Sequence, residues 1–170
     1  MTALVRGRVQ VKGSQQLKNA LRELKSRMCD ADVSVLVGVP KAAGEYEGGP
    51  HIATIAAVNN YGSADGRIPA RPFLLPAIEN NQDKYLKIAE NMLTGEALDP
   101  SQYRVALEAI GLKATADVQE YMTDLRFPAN ADSTIERKKS SNPLIDTGIL
   151  RSSITYQITD PGEQIDEGIG

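Results

Sequence analysis

The residues with the clearest chemical potential are Asp146, Thr147 and Gly148, which complete the hexapeptide PLIDTG at 143–148. An Asp-Thr-Gly sequence behind two apolar residues is typical of a carboxylate held at the end of a buried strand. Two such carboxylates that share one proton act as an acid and a base, and together they hydrolyse peptide bonds. Because the chain contains this sequence once, the second carboxylate would have to come from a second copy.

The surroundings of Asp146 disfavour a dimeric aspartic protease that uses this carboxylate. Those small enzymes are nearly all-β and carry the catalytic Asp early in the chain, whereas Asp146 follows a long stretch rich in helical patterns. Gly148 is followed by Ile-Leu-Arg, where such proteases carry Ala and a polar turn. A nucleophilic triad is disfavoured as well, because the single histidine, His51, has no suitable neighbours in the sequence. We therefore predict no enzymatic activity.

A structural interpretation explains the same hexapeptide without catalysis. Pro143 stiffens its start, and the apolar pair that follows enters the core. Asp146 then caps a single helical turn by accepting a hydrogen bond from a backbone N–H two or three residues further on. We predict a structural corner in which Gly148 allows close backbone approach and Asp146 pairs with Arg151; its residues are Pro143, Asp146, Thr147, Gly148 and Arg151.

Composition and charge limit the class of protein. The 170 residues are 41% hydrophobic, which is sufficient for one globular domain with a core. Nineteen basic and 22 acidic residues give a net charge of −3, a balance too even for a dedicated nucleic-acid binder. A lone Cys29 and a lone His51 cannot supply a zinc site, so we predict no metal and no cofactor. No stretch approaches the ~18 uncharged residues that span a bilayer, so we expect a soluble intracellular protein.

Hydrophobic periodicity predicts helices and strands along the same chain. Alternating apolar residues predict strands over 5–11, 33–39 and 154–158. Helical spacing predicts an amphipathic helix with one apolar face made of Leu17, Ala20, Leu21, Leu24 and Met28.

Three further helices are predicted downstream. The first lies in the sequence HIATIAAVNNYG at 51–62, with His51 at its start and Gly62 as its stop signal, and the second begins at Ala77. The third opens at the sequence DPSQ and extends to about residue 126, which makes it about 37 Å long. We predict one α+β domain over 1–159, with a small, mostly antiparallel sheet packed against one long helix and several shorter ones. Residues 160–170 are predicted to form a flexible acidic tail.

Two connections are predicted to be extended arms or loops. Prolines at 69, 72 and 76 favour an extended course for the sequence RIPARPFLLPAI at 67–78. The stretch 126–142 has almost nothing to bury, and its centre is basic because of Arg137, Lys138 and Lys139. A loop of this length is typically functional or disordered.

Two segments of the chain resemble one known family. The sequence VNNYGSADGRIPARPFLLPAI at 58–78 and the sequence STIERKKSSNPLIDTGILRSSITYQI at 133–158 resemble the small neck proteins of tailed bacteriophages, that is, the virion-morphogenesis, tail-completion and head–tail joining proteins. We call 58–78 the first motif segment and 133–158 the second. Both occur in the expected order, and the resemblance covers the chain from about residue 33 to 158.

The resemblance implies a structural virion protein located in the neck and assembled in the host bacterial cytoplasm. Such subunits form a sixfold or twelvefold ring between the head connector and the tail tube, and double-stranded DNA passes through the lumen without sequence-specific binding. We predict that the arm and the 126–142 loop contact a neighbouring subunit or a neighbouring ring, and that no membrane is involved. The predicted interface residues are Arg67, Pro69, Arg71, Pro72, Phe73, Arg137, Lys138 and Lys139.

Three alternatives remain open on the sequence. A tail terminator that caps the tail tube is similar in kind but binds different neighbours. The dimeric aspartic protease would show peptide cleavage at acid pH that Asp146→Asn abolishes. A nucleic-acid binder that uses the 137–139 cluster would show steeply salt-dependent DNA binding.

Overall fold

The computed structural model describes residues 33–46, 48–92, 100–138, 141–144 and 147–159. The predicted strand at 5–11, the predicted helix at 17–28 and the predicted tail at 160–170 lie outside these ranges. The described elements are, in chain order, β1 (Ser34–Gly38), a 3₁₀ turn (Lys41–Ala43), α1 (Ile52–Tyr61), α2 (Leu74–Asn80), α3 (Gln82–Met92), α4 (Pro100–Asp124), α5 (Asp132–Lys138), α6 (Ile149–Ser152) and β2 (Thr155–Thr159). These helices, together with an antiparallel pair of strands, confirm the predicted α+β class.

The two described strands pair early and late parts of the chain. β1 and β2 are antiparallel, with Val35 opposite Ile158 and Val37 opposite Tyr156. The sequence predicted that these four side chains share one face of each strand, and the register places them opposite one another. Cross-strand pairs of β-branched and aromatic side chains of this kind are the unit of sheet stabilisation.

Helix α4 is the central support of the fold, as the sequence predicted. Its 25 residues contact both strands of the sheet and also α2 and α3. The main core lies around it and consists of Phe73, Ala77, Val118, Met122, Leu144 and Ile154. Gly111 lets the sheet pack closely against α4, because a Cβ at this position would collide with the ring of Tyr156.

The ends of α1 follow the signals in the sequence. The ring of His51 caps the start of the helix, since Nδ1 accepts a hydrogen bond from the backbone N–H of Ala53 at 3.2 Å. Gly62 stops the helix with a positive φ of 84°, a conformation that glycine adopts readily. A side chain at Gly62 would also lie 3.0 Å from the backbone of Ile68 and Ala70. Both predictions are confirmed.

The helix predicted from Ala77 differs in two ways from the structure. It begins earlier, at Leu74, because Pro76 occupies the first turn, where backbone N–H groups have no partner within the helix and none is lost. It is also interrupted at Asn81, which separates α2 from α3. The extended course predicted by the prolines is limited to the residues before Leu74.

The prediction of an unstructured 126–142 connection was wrong in its middle part. Residues Asp132–Lys138 form α5, and the N–H groups of Thr134 and Ile135 both bond to the carbonyl oxygen of Ala131. Asp132 in the first turn favours this helix by interacting with the positive end of the helix dipole. Within the described ranges, no helix is both long enough and apolar enough to cross a membrane.

Candidate functional site

The two motif segments meet at one groove, although they are distant in the sequence. The groove has a volume of about 580 Å³ and is lined by residues from three stretches, 67–71, 129–134 and 143–150. The side chains of α1 that face it, Ile52 and Ile55, make its floor partly apolar. The convergence of both segments on one site makes this groove the candidate functional site.

Arg71 joins the two sides of the groove. Its Nε donates a hydrogen bond to the carbonyl oxygen of Pro128 at 2.7 Å, and its terminal nitrogen donates to the carbonyl oxygen of Ala129 at 3.0 Å. A third bond reaches Oδ1 of Asn130 at 3.2 Å. The side chain is buried, and its burial lowers the pKa of the guanidinium, which nevertheless stays protonated in proteins. Arg71 therefore acts as a cationic donor to neutral oxygens of its own chain.

Asn60 fixes the other end of the loop that carries Arg71, the corner loop (62–73). Its Oδ1 accepts hydrogen bonds from the backbone N–H groups of Phe73 at 3.1 Å and Leu74 at 3.4 Å. Because these groups open α2, Asn60 at the end of α1 caps the following helix. Phe73 then enters the core with only 2% of its surface exposed.

The tip of the corner loop is a closed turn held by Ser63 and Asp65. Ser63 Oγ donates to Asp65 Oδ1 at 2.5 Å, and the same carboxylate oxygen accepts from the backbone N–H of Arg67 at 3.1 Å. The hydrogen bond from Ser63, followed by the one from Arg67, lowers the pKa of the Asp65 carboxyl. The side chain of Arg67 pairs with Asp65 at 3.3 Å and stays exposed. The turn therefore presents Arg67 and Ile68 to solvent.

The described part of PLIDTG precedes α6 in the second motif segment. Pro143 and Leu144 are buried, and Gly148 has a positive φ of 83° before α6. Oγ1 of Thr147 accepts from the backbone N–H of Ile149 at 3.4 Å and lies 3.3 Å from the hydroxyl of Tyr46. Thr147 thus bonds to one of the two N–H groups, those of Gly148 and Ile149, for which Asp146 was the predicted acceptor. Asp146 itself lies outside the described residues.

The predicted interface residues fall into two groups. Arg67, Pro69 and Pro72 are exposed on the corner loop, where an intersubunit role stays a prediction. Arg71 and Phe73, in contrast, have their partners inside the chain. Among the basic residues, Arg137 and Lys138 belong to α5, but their side chains and all of Lys139 lie outside the description. Arg151 is exposed, and its NH1 donates to Oγ1 of Thr123 at 3.5 Å.

A second polar cluster, which the sequence did not predict, lies between α3 and α4. The buried carboxylate of Asp117 bonds to the ammonium of Lys113 and accepts from the hydroxyl of Tyr85 at 3.0 Å. Lys84 lies 3.8 Å from the same carboxylate. Burial and the bond to Asp117 raise the pKa of Tyr85. The spacing of Lys113 and Asp117 on one helix face is the signal that suggests this pair.

This cluster joins α3 to α4, because Tyr85 and Lys84 belong to α3 and Asp117 belongs to α4. The carboxylate of Asp117 is paired with two lysines, Lys84 and Lys113. Within the described ranges, no group of three or more His, Cys, Asp or Glu side chains has an arrangement suitable for a metal ion.

Comparison of the chain with protein-family models, with curated proteins and with solved structures found no match.

Proposed function

We propose that this chain is a structural subunit of the neck of a tailed bacteriophage, in the tail-completion or head–tail joining layer. The observation that carries the proposal is the meeting of the two motif segments at one groove. In these segments Arg71, Asn60 and Thr147 all bond to groups of the chain itself. The motif residues instead build a rigid corner, and a rigid corner is suited to contact a neighbouring subunit.

Exposed apolar side chains in the groove, or next to it in the sequence, support an interface at this corner. Tyr61 and Ile68 are exposed on the first motif segment, and Phe127 is 79% exposed next to Pro128, which Arg71 binds. Large apolar side chains of this kind are typical of protein–protein contacts when they cluster, and aromatic residues often dominate their binding energy. We define the corner face as Tyr61, Ile68 and Phe127 together with the groove.

The corner face is proposed to contact the next subunit of a sixfold or twelvefold ring. Such a ring uses a head-to-tail interface, in which two different surfaces of each subunit meet, and it closes when the rotation per subunit divides a full turn. Arg67, Pro69 and Pro72 surround the tip of the corner loop and contribute the polar and stiff part of the contact. Neighbouring connector and tail-tube proteins bind above and below the ring.

The net charge of −3 supports passage of DNA through the lumen. A strongly basic lumen would bind the phosphate backbone and slow the genome, because phosphate contacts dominate the affinity of proteins for DNA. Within this proposal, DNA passes through the ring without sequence-specific contacts.

The proposal is tested by the mass of the purified chain in solution, measured by light scattering at low and high concentration. We expect a sixfold or twelvefold species that Phe127→Ser and Ile68→Ser dissociate into smaller ones. The matched control is Leu75→Ser, which removes a comparably exposed leucine at the start of α2. Arg71→Ala and Phe73→Ala are unsuitable variants, because both side chains also stabilise the subunit.

A second assay tests the case in which the ring assembles only on a neighbouring virion protein. Phage particles lacking the gene are complemented with each variant, and tail attachment is counted by electron microscopy. Phe127→Ser is expected to yield unjoined heads and tails, whereas Leu75→Ser restores joined particles. A chain that is monomeric at every concentration, and whose Phe127→Ser variant still joins heads to tails, contradicts the proposal. A tight dimer that cleaves peptides at acid pH, with loss of cleavage in Asp146→Asn, supports the protease instead.

A further inference from the structure

The tip of the corner loop contains the one Asp-Gly pair of the sequence, Asp65–Gly66, and the sequence has no Asn-Gly pair. An Asp-Gly pair is prone to rearrange without an enzyme, because glycine has no Cβ to shield its backbone nitrogen from the preceding side chain. Both residues are exposed in the structure, so water reaches them freely. The pair is therefore a candidate site of chemical modification.

The rearrangement of such a pair consists of two steps. In the first, the backbone nitrogen of Gly66 attacks Cγ of Asp65 and forms a new N–C bond. The carboxyl group loses its hydroxyl, which leaves as water together with the proton of the nitrogen. In the second step, water opens the cyclic imide. Opening at the main-chain carbonyl produces an isoaspartate, whose chain continues through Cβ and Cγ, whereas opening at Cγ restores Asp65.

The turn holds the attacking nitrogen in a hydrogen bond. The N–H of Gly66 donates to the backbone carbonyl oxygen of Ser63 at 3.0 Å. This bond fixes the peptide plane and engages the proton that the attack must remove. Gly66 has a positive φ of 72°, and a Cβ at this position would meet no atom within 4 Å. The backbone conformation of the turn, and not a lack of space, therefore favours glycine beside Asp65.

The turn also holds the carboxyl group in its ionised form. Oδ1 of Asp65 accepts from Ser63 Oγ at 2.5 Å and from the backbone N–H of Arg67 at 3.1 Å. Donors of this kind favour the carboxylate, and these bonds lower the pKa of the Asp65 carboxyl. A carboxylate is a poor target for the attack, because its oxygen leaves readily only after it has been protonated.

Ser63 connects both of these restraints. Its carbonyl oxygen holds the Gly66 nitrogen, and its hydroxyl holds the Asp65 carboxylate. The same hydroxyl accepts from the N–H of Ile68 at 2.8 Å, and the N–H of Ser63 donates to the carbonyl oxygen of Ile68 at 2.9 Å. Arg67, in contrast, pairs with Asp65 through a side chain that is 86% exposed. Opening of the turn therefore depends most on Ser63.

We propose that Asp65–Gly66 is a site of isoaspartate formation that the native turn suppresses, and that the hydroxyl of Ser63 keeps this turn closed. An isoaspartate adds one carbon atom to the main chain between Ser63 and Arg67, so the hydrogen bonds across the tip no longer match. The inference does not depend on the ring function, since it rests on the chemistry and the hydrogen bonds of the loop tip.

Incubation of the purified full-length chain at mildly acid pH, well below its Tm, tests the proposal. Isoaspartate at residue 65 is measured after proteolysis by reversed-phase chromatography and electron-transfer fragmentation. The reference is the same chain unfolded in guanidinium chloride, which we expect to form isoaspartate at least about tenfold faster than the native chain. Ser63→Ala is expected to accelerate the reaction of the folded chain roughly tenfold, because two side-chain hydrogen bonds are lost and the open turn becomes more populated.

Two matched variants separate the hydroxyl of Ser63 from other effects of substitution. Ser63→Thr keeps a hydroxyl and is expected to retain the native rate. Ser152→Ala removes a hydroxyl that donates to the carbonyl oxygen of Ile149 in α6, and it is expected to leave the rate at residue 65 unchanged. An unchanged Tm of Ser63→Ala shows that its acceleration is local.

Arg67→Ala provides a second measurement if Ser63→Ala does not fold. It removes the exposed side-chain donor but keeps the backbone N–H, so an acceleration of about twofold is expected. Three results overturn the proposal. They are equal rates in the native and unfolded chains, no isoaspartate at residue 65 in either state, and equal rates in the native chain and the folded Ser63→Ala variant.

Discussion

Arg71 and Asp117 are both charged and buried, yet they stabilise different kinds of structure. Arg71 donates to neutral oxygens of residues 128–130 and joins two segments that have neither helical nor strand backbone pairing. Asp117 bonds to Lys113 and Tyr85 and joins α3 to α4, whose backbone groups are already paired within each helix. The Arg71 guanidinium holds loops in place, whereas the Asp117 carboxylate reinforces two helices that form without it.

Removal of Asp117 and removal of Arg71 leave different groups without a partner. Without Asp117, the ammonium groups of Lys84 and Lys113 turn to water, since both are partly exposed already. Without Arg71, residues 128–130 lose the three hydrogen bonds that hold them against the corner loop. Irregular segments therefore depend more on a single side chain than packed helices do.

The largest effect is expected for Arg71→Ala. We expect a loss of about 3 kcal/mol in the free energy of unfolding, because three hydrogen bonds from a charged donor disappear and leave a cavity beside the groove. Urea unfolding followed by circular dichroism measures it. Amide exchange should accelerate over 126–131 and 69–73 while the strands remain protected.

Arg67→Ala is the matched control for this prediction. Arg67 lies on the same loop, but its ion pair with Asp65 is on the surface, where such pairs contribute less than about 1 kcal/mol. If the two arginine variants were equally stable, Arg71 would not be the residue that holds the corner.

A smaller loss in the free energy of unfolding is expected for Asp117→Asn. The amide keeps the shape of the carboxylate and still accepts from Tyr85, but the attraction to the two lysines is lost. We expect a destabilisation of about 1–2 kcal/mol by urea unfolding, without selective exchange in any loop. A loss of unfolding free energy larger than that of Arg71→Ala would reverse the comparison. The contact between α3 and α4 would then depend more on a single side chain than the corner loop does.

The smallest effect concerns Tyr85 at alkaline pH. Its pKa is raised above the ordinary value of 10.0 by burial and by Asp117, so the folded chain keeps the proton that the unfolded chain releases. The contribution of Tyr85 to the free energy of unfolding is therefore complete below pH 10 and is lost as the pH rises further. We expect the Tm of Tyr85→Phe to fall less steeply above pH 10 than that of the native chain. Tyr61→Phe is the matched control, because it removes the hydroxyl of an exposed tyrosine.

Local patterns in the sequence predicted the elements of the fold well. The helix α1, the long helix α4 and the two described strands follow from periodicity, because burial on one face requires a regular spacing of apolar residues. Helix α5 escaped prediction because Ile135 is the single large apolar residue within it, which leaves no periodic signal. The break at Asn81 was missed because apolar spacing continues across it.

The site was less predictable, because its contacts join residues that are far apart in the chain. Asn60 is a typical capping residue, but it caps a helix 13 residues further on and not its own. Arg71 was predicted to contact a neighbouring subunit, and nothing near it in the sequence indicates the carbonyl oxygens more than 50 residues away. The two segments that carry the resemblance line one groove, and the resemblance did not indicate that they meet.

The pairing of β1 with β2 has a consequence for the order of events during synthesis. The side chain of Thr159 bonds to the carbonyl oxygen of Ser34 across 125 residues of sequence, so the ribosome must translate almost the whole described chain before the sheet can form. Leu144 and Ile154 are also late residues, and they belong to the same core cluster as Phe73. Closing such a long loop is entropically costly and slow compared with local helix formation.

The corner loop is therefore translated early but fixed late. A nascent chain has the helices before it has the residues that hold Phe73 in place. Each copy lacks the finished corner until its last described residues have been translated. For the proposed ring, this topology delays contact through the corner face until each subunit is complete.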